Sequence, residues 1–560
     1  MKRLTFIACF TIIALYANAQ SYHICNSNGT TLEIPVKENS EITFDSEQQL
    51  IHFHNIGNLV HSFATSHIDS IATSKPAQST SLTYLTEQDI KFDPADENIY
   101  SEVTETIVED ELLDEYGDFV EHYQKENLSL VTIEFSETGV KTTPTSVENV
   151  KFTVKNKTHL IIDSTTGKMR YNVKGKCSNG SLKIYSTKKF QLMLGGLELT
   201  NPTGPAINIQ TSKTIYFTLG SGTKNSLCDG ATYAAAPVTN NEEEDQKGTL
   251  FSEGQIIFNG NGTLNVTSLG GHAICSDDYI RVRSGKINIL SSLKDGFHTN
   301  DMFIVGRTEK YSPEINVNST GDAIDCGKGS IRIEAGKLTF NSGGEAIKAS
   351  YEEAVPDPTI IPDVNIAGGL IKIVTDGAKS SAIKATGNYR QLGGIIQAEV
   401  NGNGSKIINC DGSVAIEGGK ITGITKGSLN EADTTSAAGI KSAGDIYIGK
   451  ATVAMRCDGG GSKAINCDSA VTIDGGNVIL LATGESINYA NDDKKSRAVS
   501  CTDLTIESGT LYTQAYDKAV SAESITLNDG TLHAISSNDT EAINVLPTQK
   551  GGWIMTKGEE

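Results

Sequence analysis

Acidic residues recur at a fixed register of this chain, and their spacing is the first sign of chemistry. In residues 319–350, STGDAIDCGKGSIRIEAGKLTFNSGGEAIKAS, an acid precedes Ala-Ile twice, as Asp322-Ala323-Ile324 and Glu345-Ala346-Ile347. Asp295 stands at the matching place two residues before Phe297, and Asp325 directly follows Ile324. A second register, four residues after Ile274 and Phe297, holds Asp278 and Asp301, with Asp277 beside the first. If equal registers stack at the strand spacing of about 4.8 Å, two carboxylates repel by roughly 1 kcal/mol in water and about 3–4 kcal/mol at an effective dielectric near 20. A cation or raised pKa values must offset that repulsion. Ca²⁺ suits the arrangement, as a hard ion that takes about 6–8 oxygens in irregular geometry. The candidate metal ligands are Asp277, Asp278, Asp295, Asp301, Asp322, Asp325 and Glu345, offered by discontinuous segments because the chain has no EF-hand loop. The alternative is a solvated acidic edge, since Asp and Gly are common at turns.

A basic series runs beside the acids. Lys348 and Lys384 each follow an apolar anchor by one residue, and Lys441 does so after one intervening Asn. In-register lysines could grip an acidic sugar chain, alone or with Ca²⁺, or could be ordinary solvated residues. His272 and His298 fall near the acids, where the pattern gives each a turn or surface role and no transition-metal site. His298 joins Lys348, Lys384 and Lys441 as a candidate ligand contact. The chain carries no H-E-x-x-H, phosphate loop or dinucleotide fingerprint. Trp553 is its one tryptophan, and no aromatic recurs at a single register to make a flat platform.

The elements that must position these residues are repeats of about 23 residues. Their anchors are Phe251, Ile274, Phe297, Ile324, Ile347, Ile383, Ile408, Ile440, Ile465, Val499, Val520 and Ile543, with an irregular earlier part beginning near Ile207. Each unit reads apolar-x-apolar, a Gly turn, then apolar-x-apolar, as in IRIEAGKLTF and VTIDGGNVIL. The turn glycines are Gly285, Gly336, Gly419, Gly476, Gly509 and Gly530. Alternation with period two marks strands with one buried face. A unit this short cannot bury that face alone and must stack on its neighbours. The expectation is an all-β chain, a right-handed parallel β-helix (β-solenoid) of about twelve or thirteen coils, whose open ends need caps. The three longest spacings contain YEEAVPDP, SLNEADTT and ESINYANDDKKS, which read as loops added to the unit. Cys326, Cys410, Cys467 and Cys501 sit two residues after anchors, where other units have Ala or Ser, so Cys serves there as a small hydrophobe. Only Cys467 and Cys501 fall on adjacent units and could bridge.

Residues 1–19, MKRLTFIACFTIIALYANA, have the basic start, apolar run and small-residue end of a secretory signal peptide. No later stretch approaches the ~20 apolar residues of a membrane helix. Residues 20–75 read as a small β module, and 76–130 as an acidic linker with one amphipathic helix around 107–123. The repeats fill 131–546, followed by a tail over 547–560. With 47 Lys and Arg against 68 Asp and Glu, the net charge of −21 disfavours nucleic acid and anionic membrane as partners.

The ordered series KTIYFTLGSGTKNSLCDG, KGTLFSEGQIIFNGNGTLNVTS, HAICSDDYIRVRSGKINI, SLKDGFHTNDMFIV, GDAIDCGKGSIRIEAGKLTF and GEAIKA resembles the carbohydrate-binding β-helix family first known from a clostridial cellulose- and pectin-binding protein. The resemblance covers about residues 130–545. It implies a right-handed parallel β-helix that binds calcium and cell-wall polysaccharide, including acidic pectic chains, without established catalysis. By position it implicates Asp277 and Asp278 through S-D-D-Y-I, Asp295 and Asp301 through D-G-F-H-T-N-D, and Asp322, Asp325 and Glu345 through G-D-A-I-D and G-E-A-I-K. His272 departs from the pattern, standing where an Asp is common. The expected protein is thus exported to the cell envelope or beyond, monomeric, non-catalytic and bound to polysaccharide with Ca²⁺. A pectate-lyase-like enzyme with Lys348 as base, and an adhesin-like surface scaffold, are the alternatives.

Overall fold

The alternating runs form strands, and each strand pairs with its counterpart in the next repeat. The computed structural model describes residues 21–26, 31–35, 40–46, 48–55, 58–72, 84–99, 123–124, 126–239, 242–306, 313–355, 357–490, 492–538 and 541–557. The expected signal peptide at 1–19 and most of the expected helix at 107–123 lie outside these residues. Among the described residues the chain is all-β apart from a helical turn at Asp96–Ile99, the helical residues 123–124 and a 3₁₀ turn at Thr65–His67.

One repeat shows the plan. Strands Ile324–Cys326, Ser330–Ile333 and Lys337–Ser342 follow one another, and each lies parallel to its equivalent one repeat on, with Ile324 opposite Ile347, Ile331 opposite Val364 and Leu338 opposite Ile371. Strands of the first kind build a fifteen-stranded sheet. Those of the second and third kinds build two further ladders, joined where single long strands, Phe190–Thr200, Ala470–Ala482 and Asp503–Ala515, run through both. The anchors Ile274, Phe297, Ile324, Ile347, Ile383, Ile408, Ile440, Ile465, Val499 and Val520 stand in one line of the fifteen-stranded sheet. The anchor before them is Leu250 and not Phe251. Leu250 joins the apolar core, whereas Phe251 faces the other side of the strand, under the ammonium of Lys247 at 5.7 Å.

Between the ladders one apolar core runs from Val131 to Ile554. Each buried Ile, Val or Leu contributes about 1.5–3 kcal/mol, so its length is what stabilises a chain of such short strands. Cys326, Ala349, Ala385, Cys410, Ser442 and Cys467 share one register of that core, a position for small side chains. Cys177, Cys228, Cys275, Cys326, Cys410, Cys457, Cys467 and Cys501 are free thiols.

Both ends are covered. At the first, Val150–Lys155 lies antiparallel to His159–Ser164, and Gly139–Thr143 antiparallel to Ser129–Ser136. At the other, the expected tail instead supplies strand Trp553–Lys557, parallel to Thr531–Ser536 and antiparallel to Asn58–Ala64. The N-terminal strands thereby continue the sheet past its last repeat, with Trp553 edge-on to Phe63 at 5.2 Å. Residues 84–99 return along the sheet surface. The Leu85 N–H donates to Gln514 Oε1 (2.7 Å), Arg456 Nη1 to the Glu87 carbonyl (3.0 Å), Lys420 Nζ to Asp96 Oδ1 (2.6 Å), and Lys337 Nζ reaches Glu97 Oε2 (3.5 Å).

The turn glycines stack as closely as the strands. Gly509 has φ 89°, and a Cβ on it would lie 2.4 Å from the Gly476 carbonyl oxygen of the repeat before. In the preceding turn the left-handed residue is Gly475 (φ 85°), with Gly476 making the close approach. Gly509→Ala is expected to cost roughly 1–3 kcal/mol from backbone conformation alone, read as a lower urea midpoint. An unchanged midpoint would mean that the turn relaxes freely.

Candidate functional site

Two columns of polar residues run along the fifteen-stranded sheet. The column two residues before the anchors reads His272, Asp295, Asp322, Glu345, Ser381, Lys406, Ala438, Lys463 and Arg497. Strand pairing fixes its later members, with Ser381 opposite Lys406 and Lys463 opposite Arg497. The column one residue after the anchors reads Cys275, His298, Asp325, Lys348, Lys384, Asn409, Lys441 and Asn466. The face is therefore acidic over the earlier repeats and basic over the later ones. The longer connections that follow Cys228, Thr425 and Ala482 lead into strands of this sheet, and the one that follows Ala349 leads out of it.

In the acidic half Asp295 and Asp322 each have two uses. Asp295 Oδ1 accepts the Asp322 N–H (2.8 Å), and Asp322 Oδ1 accepts the Glu345 N–H (2.8 Å), each capping the next repeat. Asp295 Oδ2 meets His272 Nδ1 at 3.0 Å and His298 Nδ1 at 3.6 Å. His298 Nδ1 also reaches Asp325 Oδ2 at 3.0 Å. Lys348 closes the chain, with Nζ 2.6 Å from Glu352, 3.2 Å from Asp325 and 3.5 Å from Asp322. Burial works to raise Asp295, but bonds from His272 and His298 outweigh it and hold the carboxyl well below the usual range. Burial, then Glu345 and Asp295, push Asp322 up to about 8. His298 is raised to about 9, because Asp295 and Asp325 overcome its burial. Lys348 is likewise raised, its burial outweighed by Asp325, Glu352 and Asp322.

The expected metal ligands fall into separate groups. Asp295, Asp322, Asp325 and Glu345 belong to the cluster just described, which contains its own cations. Asp277 is paired to Lys247 at 2.7 Å, and Lys247 also holds Asp245 at 2.9 Å. Asp278 and Asp301 form a pair of neighbouring carboxylates linked by a hydrogen bond, and burial followed by Asp301 pushes Asp278 up to about 6. Among the described residues no ammonium or guanidinium is ion-paired to either. This pair fits a hard divalent cation, since all its donors are oxygen and two like charges stand together.

In the basic half Lys441 pairs with Asp468, and Lys379 with Asp433 at 2.7 Å. Lys406 is nearly buried, its Nζ donating to the Gly404 carbonyl at 2.8 Å. Burial, joined by Lys379, Lys441 and Lys384, lowers it to about 8 against the opposing pull of Asp433. Sequence reading missed Lys406, Lys463 and Arg497. Their signal was available, since they occupy the register of Asp295 and Asp322 with the opposite charge.

A family model described as "Carbohydrate-binding domain-containing protein" matches residues 156–486. The chain belongs to this carbohydrate-binding family. The matched domain contains the acidic cluster, the Asp278–Asp301 pair and the basic half as far as Lys463. Among solved structures, the polysaccharide lyase-like protein from C. thermocellum, as a gadolinium derivative, is similar at 20% identity and a TM-score of 0.38, over 51% of this chain and 96% of that one. No curated protein matches.

The acidic cluster of the carbohydrate-binding domain makes stability pH-dependent. His298 holds its proton to about 9 against an ordinary 6.5, so its contribution is complete below pH 6.5 and is lost as pH rises through about 9. Asp322, also raised, acts in the same direction and loses its contribution as pH rises through about 8. At 1.36 kcal/mol per pKa unit the His298 term is roughly 3 kcal/mol. In chelator-treated protein the urea midpoint should fall between pH 6.5 and pH 9.5, and His298→Asn should flatten the fall. Equal slopes in the two proteins would refute the role given to His298.

Proposed function

We propose that this protein is an exported, non-catalytic polysaccharide-binding protein built as a right-handed parallel β-helix, whose glycan is acidic and held with the help of Ca²⁺. Membership of a carbohydrate-binding family supports the polysaccharide. The observation that carries the acidic chemistry is the basic half of the face. On a chain of net charge −21, Lys384, Lys406, Lys441, Lys463 and Arg497 gather on a few successive repeats. Neighbouring repeats lie about 4.8 Å apart, so an extended polyanion along the sheet would meet one cation after another. Its carboxylates would relieve the repulsion that lowers Lys406.

Two further observations support this reading. Asp278 and Asp301 would hold Ca²⁺ through carboxylate oxygens, leaving coordination positions for water or a glycan carboxylate. Lys348, the base that a lyase would need, is locked as an ammonium by Asp322, Asp325 and Glu352 and cannot accept a proton. That favours binding over cleavage.

Binding to polygalacturonate should be saturable, weaken with salt, and weaken by roughly tenfold, about 1.4 kcal/mol, in Lys384→Ala/Lys441→Ala. Indifference to both salt and substitution, or release of unsaturated product, would reject the reading. Separately, millimolar Ca²⁺ should raise the unfolding temperature over excess chelator, corresponding to roughly 3–4 kcal/mol at a few hundred times its Kd. Asp278→Asn/Asp301→Asn should abolish that rise, and a rise of equal size in the variant would place the ion elsewhere.

A further inference from the structure

The acidic end of the face brings two imidazoles and two carboxylates together from three consecutive repeats. His272 opens strand His272–Ser276, Asp295 precedes strand Phe297–Thr299, His298 is its middle residue, and Asp325 is the middle of Ile324–Cys326. The two rings stack at 4.5 Å and 27°. Both Nδ1 atoms lie near the same carboxylate oxygen, Asp295 Oδ2, at 3.0 and 3.6 Å. Asp325 Oδ2 stands 3.0 Å from His298 Nδ1 on the far side. The side chains of His272, Asp295, His298 and Asp325 are 12, 14, 20 and 6% exposed, which shelters the group while leaving an approach from solvent.

We propose that His272, Asp295 and His298, with the fourth position open to solvent, bind a divalent transition-metal ion of the Zn²⁺ class. Three observations carry this. Donors about 2.0–2.1 Å from a tetrahedral Zn²⁺ lie about 3.3 Å from one another, and the separations of 3.0 and 3.6 Å from Asp295 to the two imidazoles bracket that value. The donor set is also wrong for calcium, which takes oxygen, and right for zinc, which takes imidazole nitrogen with carboxylate. Finally, the carboxylates are oriented before any ion arrives. Asp295 Oδ1 is fixed by the Asp322 N–H at 2.8 Å, and Asp325 Oδ1 faces Lys348 Nζ at 3.2 Å. Partners of this kind ordinarily steer metal ligands. His272, His298 and Asp295 are the group among the described residues whose ligand atoms all lie within 4.8 Å of one another. The ion would replace the proton shared between imidazole and carboxylate and would pin two successive repeats together. This site is distinct from the Asp278–Asp301 pair and stands whether or not the chain binds an acidic glycan.

The test uses the untagged chain, stripped with chelator and exchanged into chelator-free buffer. Titration with ZnCl₂ by calorimetry should show one tight equivalent. Co²⁺ in its place should give the intense visible bands of a tetrahedral nitrogen–oxygen site, a readout independent of any variant. His272→Asn and His298→Asn should each weaken zinc binding by at least about tenfold, with unchanged circular dichroism, and excess Ca²⁺ should leave the ion in place. The proposal is overturned by no saturable uptake, by a weak octahedral Co²⁺ spectrum, by undiminished binding in both His variants, or by displacement with Ca²⁺.

Discussion

Parallel stacking in register is the constraint on which everything else in this molecule depends. With about 4.8 Å between equivalent residues, each side chain lives against the one above and the one below. Two bare carboxylates at that distance cost about 3–4 kcal/mol at a dielectric near 20, more than a short strand gains from burying one apolar side chain. The earlier repeats meet this by alternating sign within a few ångströms, from His272 through Asp295, His298 and Asp325 to Lys348. The same constraint selects small residues along the line of Cys326, Ala349 and Ala385, and glycine at Gly509, whose turn approaches Gly476.

Register also explains why the acids are not free to act as ligands alone. A carboxylate or amide in the turn before a strand caps an N–H of the following repeat. Asp295 and Asp322 do so, as do Asp363 to Asn388 (2.6 Å), Asn388 to Ser413 (3.0 Å) and Asn403 to Ser428 (3.0 Å). Asn fills the role as well as Asp, so charge is not what the cap needs. Where an acid is used, its second oxygen is available for other chemistry, and only in the earlier repeats does it meet imidazoles.

The repeats, their strands and the stacking of Asp278 on Asp301 were legible because each rests on a pattern that recurs every few residues. The anchor shift from Phe251 to Leu250 was not, since both are large and apolar and only the facing core distinguishes them. The sign change at the register of Asp295 and Lys406 was legible in principle and was missed because the acid alone was followed from unit to unit. The seating of residues 84–99 on the sheet, and of the N-terminal strands against Trp553–Lys557, had no sequence signal. Those contacts join residues hundreds of positions apart through single hydrogen bonds and strand edges, which leave no periodicity to detect.

Those long-range contacts in turn indicate which cations remain for a ligand. Residues 84–99 run over the ladders carrying Lys337, Lys372, Lys420 and Arg456 and engage all four through Glu97, Asp96 and the carbonyls of Glu87 and Ile90. Lys286, Arg390 and Lys426 are paired across repeats with Glu314, Glu417 and Glu399. Exposed pairs of this kind are worth about 0–1 kcal/mol each, yet they occupy the charges. On the fifteen-stranded sheet the balance differs. Lys384 has no ion pair to a described residue, and Lys406 and Lys463 donate to a backbone carbonyl and to Asn466 rather than to carboxylates. Burial with neighbouring cations lowers both Lys406 and Lys463. A polyanion placed there gains by neutralising charge that the fold itself has left uncompensated, whereas on the strapped ladders it would first have to displace Asp96 and Glu97.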